Sequence, residues 1–354
     1  MPPVGGRDHR GDLGKGRSGK TLTPEEVADF PGPPRDPWLA PNRAVEDPAE
    51  VAALLREHGS RTMGRTELEH RHADLQRFSA EVGQLDAEAF KAADLDDALE
   101  LLVDLAKATD ASIRLAARQL ALRLTIRPTR GLDGDRSGTS RLSTVDDPLA
   151  GVDLDLDATL ARLDQHPRLR AEDVRVRAWR SPATAYVVLV DASGSVAGRR
   201  IATALVTAAA VAARMRPDDE LAVVAFWSQA VVLRPIRSIA ATTDLVGALL
   251  TLRGGGTTDL ALALRTGLRQ AGTARARRRE VLLLTDGIAT AGPDPVAVAA
   301  SSAAAGARLH VLALSDEDPS YRVCTQLAGA GGGRYAELLR ASDAPSAVAA
   351  VLRA

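Results

Sequence analysis

Apolar positions change their spacing along the chain. From residue 49 to 127 they recur at the three-and-four spacing of one helix face: Val51, Leu54 and Leu55; then Leu95, Ala98, Leu99, Leu102 and Leu105; then Ile113, Leu115, Leu120 and Leu122. The interval 61–81 is dense in charge and predicts a solvated helix. From residue 181 to 354, short apolar runs alternate with helical stretches. The pattern predicts strands at Ala185–Val190, Glu220–Phe226, Ala230–Leu233, Glu280–Thr285 and Arg308–Leu314. It predicts helices at Arg199–Met215, Thr243–Leu250, Leu260–Gln270, Pro295–Ala305, Pro319–Leu327 and Pro345–Leu352. Val187–Val190 and Val281–Leu284 are unbroken apolar runs, which suit parallel strands covered on both faces. The alternation predicts an α/β domain with a doubly wound, mostly parallel sheet. In such sheets ligands bind beyond the carboxyl ends of the strands.

The polar stretches divide the chain. Residues 1–48 are rich in Gly, Pro, Arg and Asp and cannot bury enough surface to offset the entropy of ordering, so they predict a disordered tail. Within it a short helix over 24–30 has Thr23 as N-cap and Glu26 at the capping-box position. Residues 128–180 read as a linker: flexible to about residue 148, then a short acidic edge strand in Asp153–Asp157 and a helix over 158–163. The expected organisation is therefore a tail (1–48), a helical region (49–127), a linker (128–180) and the α/β domain (181–354).

Composition narrows the function. Only 3% of residues are aromatic, so the core has to be built from Ala, Val and Leu. A net charge of -1 gives no global field for nucleic acid or an anionic membrane. The single Cys324 excludes an intramolecular disulfide and a Cys-cluster metal site, and reads as a small hydrophobe on a helix. No apolar stretch has the length of a membrane span, and the start Met1-Pro2-Pro3-Val4 lacks an apolar signal core. The expectation is a cytoplasmic protein.

The chemistry concentrates after the first predicted strand. Asp191-Ala192-Ser193-Gly194-Ser195 puts a carboxylate and two hydroxyls at a strand end, with Gly194 permitting a tight loop into the next helix. These are hard oxygen ligands of the kind Mg²⁺ selects. Thr258 follows in a loop opened by Gly254-Gly255-Gly256, and Asp286 ends the second buried run. Other signals carry less. Gly14–Thr21 matches the phosphate-binding-loop pattern but has no apolar strand before it, and Pro24 follows at once. His70 and His72 are two apart and do not share a helix face. His310 reads as a satisfied buried histidine, and Arg275–Glu280 as a solvated loop. A Mg²⁺-dependent phosphoryl-transfer or hydrolytic enzyme would need a base beside the metal; the motif loops offer only Asp259, so catalysis is not expected.

Asp191, Ser193, Ser195, Thr258 and Asp286, in that order, resemble the metal-ion-dependent adhesion site of von Willebrand factor A domains. The turn Leu327–Tyr335 is similar to that family's last helix-to-strand connection, and the resemblance covers residues 181–354. It implies that these five residues hold Mg²⁺, or Mn²⁺, directly or through water. Of the two adjacent threonines it selects Thr258, which precedes Asp259. A coordination position left open would accept an acidic side chain from a partner protein, making the domain a binding module rather than an enzyme. The helical region, linker and C-terminal domain, with Val174–Pro182 before the first strand, are similar to bacterial CoxE-like and MoxR-ATPase-associated proteins and to the C-terminal part of the magnesium-chelatase D subunit. This implies an adaptor for a MoxR-type AAA+ ATPase in metal insertion or protein maturation, or a component of a chelatase-like complex.

Overall fold

Seven strands share one sheet: β1 (Arg43–Val45), β5 (Thr184–Asp191), β6 (Glu220–Phe226), β7 (Gln229–Arg234), β8 (Arg278–Thr285), β9 (Ala307–Ala313) and β10 (Gly332–Glu337), in the order β1-β7-β6-β5-β8-β9-β10. β2 (Arg141–Val145), β3 (Asp153–Leu154) and β4 (Val176–Arg180) form a separate antiparallel sheet of three. The computed structural model describes residues 43–57, 62–79, 83–126, 141–146, 153–163, 168, 170–180, 182–193, 197–238, 242–252 and 256–353. All of them fall within one unit, Pro37–Ala354.

Among the described strands of the large sheet, only the β6–β7 pair is antiparallel. β5 pairs in parallel with both β6 and β8, and the chain continues outward through β9 and β10, also in parallel. Alternate residues of each strand serve different cores. Val188, Val190, Val223, Ala225, Leu282 and Leu284 join one apolar cluster; Val187, Leu189, Ala222, Val224, Val281 and Leu283 join the other. The unbroken apolar runs are therefore a consequence of helices on both faces, as the doubly wound expectation requires. The order of strands reverses at β5 and β8, the crevice where such sheets take their ligands.

The helices are α1 (Pro48–Glu57), α2 (Arg65–Arg71), α3 (Leu75–Phe78), α4 (Ala87–Ala92), α5 (Leu95–Leu105), α6 (Ala111–Ile126), α7 (Leu156–Leu163), α8 (Ala197–Arg214), α9 (Thr242–Thr251), α10 (Leu260–Thr273), α11 (Pro295–Ala300), α12 (Asp318–Ala330) and α13 (Ala344–Leu352). α10 and α12 lie against one cluster; α8, α9 and α13 lie against the other. α8 is apolar on nearly every side. Ile201, Leu205, Val206 and Val211 are buried, so one side faces the sheet and another has to be covered. α5 and α6 cover it, and their Leu99, Leu102, Val103 and Ala121 enter the same cluster as α8.

Several boundaries differ from the sequence expectations. The helical region 49–127 is not a body apart, because α8 leaves an apolar side that it shares. The expected disordered tail 1–48 is overrun at its end: Arg43–Val45 pair in parallel with Gln229–Val231, and Val45 is buried. The rest of that tail, including Gly14–Thr21 and the helix over 24–30, lies outside the described residues. In the expected linker, Arg141–Val145 are a strand, paired against Val176–Arg180. The charged interval 61–81 holds two short helices rather than one solvated helix, and Leu68, Leu75 and Phe78 are buried among the charges. Glu280, expected both to begin a strand and to end a solvated basic loop, is buried inside β8, which begins two residues earlier at Arg278. Among the described residues, no helix is long and apolar enough to cross a membrane.

Candidate metal centre

Strand register sets the two aspartates side by side. Val190 of β5 lies opposite Leu284 of β8, so Asp191 and Thr285 follow at one level and Asp286 is a step beyond. Thr285 Oγ1 donates to Asp191 Oδ2 at 2.8 Å. The Ser193 backbone N–H and Oγ donate to Asp191 Oδ1 at 2.9 and 2.5 Å. Asp191 is fully buried, and burial pushes its carboxyl above the usual carboxylate range; the Asp286 charge adds to this, while the bonds from Ser193 and Thr285 oppose it. A buried carboxylate beside a second one calls for a cation.

In the described structure that cation is Arg200, on the first turn of α8. Its Nη1 donates to the Ser193 carbonyl at 2.9 Å and to Ser193 Oγ at 3.4 Å, and stands 3.8 Å from Asp191 Oδ1. Its Nη2 pairs with Asp286 Oδ2. Local sequence pattern does not mark Arg200 as part of this cleft. The only signal was its place, nine residues after Asp191 near a helix start, and a helix N-terminus is where a cation is least favoured.

The glycine-opened loop reaches the same sheet edge through its backbone. The Thr258 N–H donates to Thr290 Oγ1 at 2.8 Å, and the Thr258 carbonyl accepts from the N–H groups of Thr290 and Ala291, both at 3.1 Å. The Asp259 N–H donates to the Trp227 carbonyl beyond β6 at 2.8 Å. Thr258 is thus stitched between the end of β6 and the loop after β8, and it is buried. Asp259, the acid considered as a base, caps α10 by accepting from the Leu262 N–H at 2.8 Å and is 1% exposed. Gly292, at φ +84°, presses against that carboxylate; a Cβ there would lie 2.3 Å from Asp259 Oδ1.

The structure therefore brings Asp191, Ser193 and Asp286 together around one cationic group and carries Thr258 to the same edge. Ser195 lies outside the described residues. Among the described residues, no group of three His, Cys, Asp or Glu converges anywhere, so a metal here would have to draw on hydroxyls and water besides two carboxylates. That donor set suits Mg²⁺, which keeps several waters. A guanidinium already held between the carboxylates shows that the cleft takes positive charge.

The remaining titratable candidates are structural. His310 Nε2 lies 2.9 Å from Glu280 Oε2, and His310 Nδ1 accepts from the Arg334 N–H at 3.0 Å. His72 is not on a solvated face: its Nε2 lies 3.1 Å from Asp104 Oδ2. Cys324, buried on α12 beneath Gly287, has its thiol pushed up to about 11 by burial.

No curated protein matches the chain. Among solved structures, the chain is similar to an aerotolerance-related membrane protein from Bacteroides fragilis at 19% identity and a TM-score of 0.39, over 47% of this chain and 96% of that one. It is similar to manganese-loaded TRAP protein from Plasmodium vivax at 19% identity and a TM-score of 0.39, over 47% of this chain and 72% of that one. It is similar to a von Willebrand factor type A protein from Catenulispora acidiphila at 17% identity and a TM-score of 0.38, over 49% of this chain and 43% of that one. The family model of the von Willebrand factor type A domain matches residues 187–344, the part of the chain that holds β5, β8 and the cleft between them.

Proposed function

We propose that the chain is a non-enzymatic adaptor that grips an acidic side chain of a partner protein through a Mg²⁺ or Mn²⁺ ion held by Asp191, Ser193, Ser195, Thr258 and Asp286. The observation that carries this reading is the meeting of Asp191, Ser193 and Asp286 around a single positive group at the carboxyl edge of the sheet. When bound, the ion would offer a Lewis-acidic position to a carboxylate. The protein residues would fix the ion: Thr285 Oγ1 orients Asp191, and the Ile288 N–H, donating to Asp286 Oδ1 at 3.0 Å, orients Asp286. Asp259 Oδ1 is used in capping α10, which favours capture over turnover.

The partner we propose is a MoxR-type AAA+ ATPase or its client, in metal insertion or protein maturation in the cytoplasm. The helical region packed on the domain supports an assembly role, because it shares the α8 core. The test is affinity capture with the full chain, with and without EDTA. Asp191→Ala and Ser193→Ala should lose metal-dependent capture of the ATPase while keeping the far-UV spectrum. Capture by these variants equal to wild type would sink the reading, and phosphoester turnover abolished by Asp191→Ala would replace it with the enzyme alternative.

A further inference from the structure

We propose that Arg200 is a tethered cation that keeps the metal cleft closed, so that a divalent ion enters only after the Arg200 side chain has swung out. The inference rests on the metal reading of the site and adds a residue that this reading does not contain. Three observations carry it. The guanidinium touches three groups at once: Ser193, through both its carbonyl and its hydroxyl, the Asp286 carboxylate, and at 3.8 Å the buried Asp191 carboxylate. Two of these are the charges, and Ser193 Oγ is one of the hydroxyls, that a hard divalent ion would use. A divalent ion and a guanidinium held by the same oxygens repel each other in a partly buried site, so the two states exclude one another.

The second observation is placement. Arg200 sits on the first turn of α8, a helix running from Ala197 to Arg214. The positive end of the helix dipole makes this a poor site for a cation, unless carboxylates hold it. Its neighbour Arg199 faces away and pairs with Glu100 at 3.5 Å. The third observation is the exit. The Arg200 side chain is 24% exposed, against 0% for Asp191, so a rotamer change carries the guanidinium into water while the carboxylates stay. Arg200 therefore answers the charge of Asp191 in the metal-free chain and raises the ion concentration needed to open the site.

Titration calorimetry with Mn²⁺ on the EDTA-stripped full chain tests this. Arg200→Gln should bind Mn²⁺ about tenfold tighter than wild type, the factor expected when the arginine-free form is roughly a tenth of the molecules. In EDTA the same variant should melt below wild type, since two carboxylates then lack a counter-charge, and it should gain more than wild type when Mn²⁺ is added. Equal affinity in both, lost in Asp191→Asn, would overturn the role of Arg200 and leave the metal site standing. No binding by either would overturn both. If Arg200→Gln does not fold without metal, Arg200→Lys carries the test. Its ammonium is a point charge that cannot fork between Ser193 and Asp286, so it should bind Mn²⁺ tighter than wild type, and wild-type affinity would overturn the proposal.

Discussion

A single carboxylate shows how position sets chemistry here. Glu280 is 1% exposed and accepts from Arg278 Nε at 2.7 Å, Arg308 Nη2 at 2.5 Å and His310 Nε2 at 2.9 Å. Burial raises its pKa, but the hydrogen bonds from His310, Arg308 and Arg278 outweigh it and hold the carboxyl at about 2 against an ordinary 4.5. A carboxylate with a lowered folded pKa stabilises the protein above its unfolded pKa and loses that contribution as pH falls through the folded value. The shift corresponds to roughly 3 kcal/mol. Glu280→Gln should therefore be less stable than wild type at neutral pH. The gap, read from urea midpoints, should close as pH falls from 4.5 toward 2. A gap independent of pH would refute this account. Gly292→Ala combines φ +84° with a Cβ 2.3 Å from Asp259 Oδ1 and should cost on the order of 2 kcal/mol. Gly272→Ala, in α10 with nothing within 4 Å, should instead leave stability unchanged or raise it by about 0.5 kcal/mol. At this scale the sequence displayed Asp191, Ser193 and Asp286 through local order, but not Arg200 or Thr285. Their roles come from the register of β5 on β8 and from the pitch of α8.

Elements explain why the site sits on a stiff base. Asp94 caps α5 by accepting from the N–H groups of Asp96 and Asp97. Arg340 Nη2 then donates to Asp94 at 2.7 Å, and Ser342 Oγ donates to Asp96 at 2.8 Å. The start of α5 is thus pinned to the turn before α13, two segments far apart in sequence. Asp96→Ala removes the acceptor for Ser342, for the Ala341 N–H and for Arg340 Nε; it should lower stability by about 2 kcal/mol in thermal or urea melts. An unchanged melting curve would mean that the turn holds α5 through apolar contacts alone. The all-round apolarity of α8 was visible in Ile201–Val211, and it already required a second covering layer. Which helices supplied that layer was not visible, because periodicity marks a face without naming its partner.

The described residues belong to one packed unit in which the helices before residue 127 finish the core of the α/β domain. A fragment of residues 181–354 should therefore expose α8 and fail to give a cooperative, monomeric species by size exclusion and thermal melting, whereas the full chain should. A chain beginning at Pro48 should melt below one beginning at Pro41, since it loses the β1 pairing and the contact of Glu46 with Arg269 at 2.9 Å. The sequence alone determined the alternation of buried strands and helices, the doubly wound architecture, and the ordered oxygen groups of Asp191, Ser193, Thr258 and Asp286. These are local: a buried parallel strand has to be apolar throughout, and a strand end is marked by the first polar residue after it. Only the tertiary structure decided that the helices before residue 127 belong to the same core, that Arg43–Val45 extend the sheet, that Glu280 is buried with three basic partners, and that Arg200 occupies the cleft. Each of those depends on which surfaces meet across long sequence separations. A pattern of apolar spacing fixes which side of an element is buried; packing alone fixes what it is buried against.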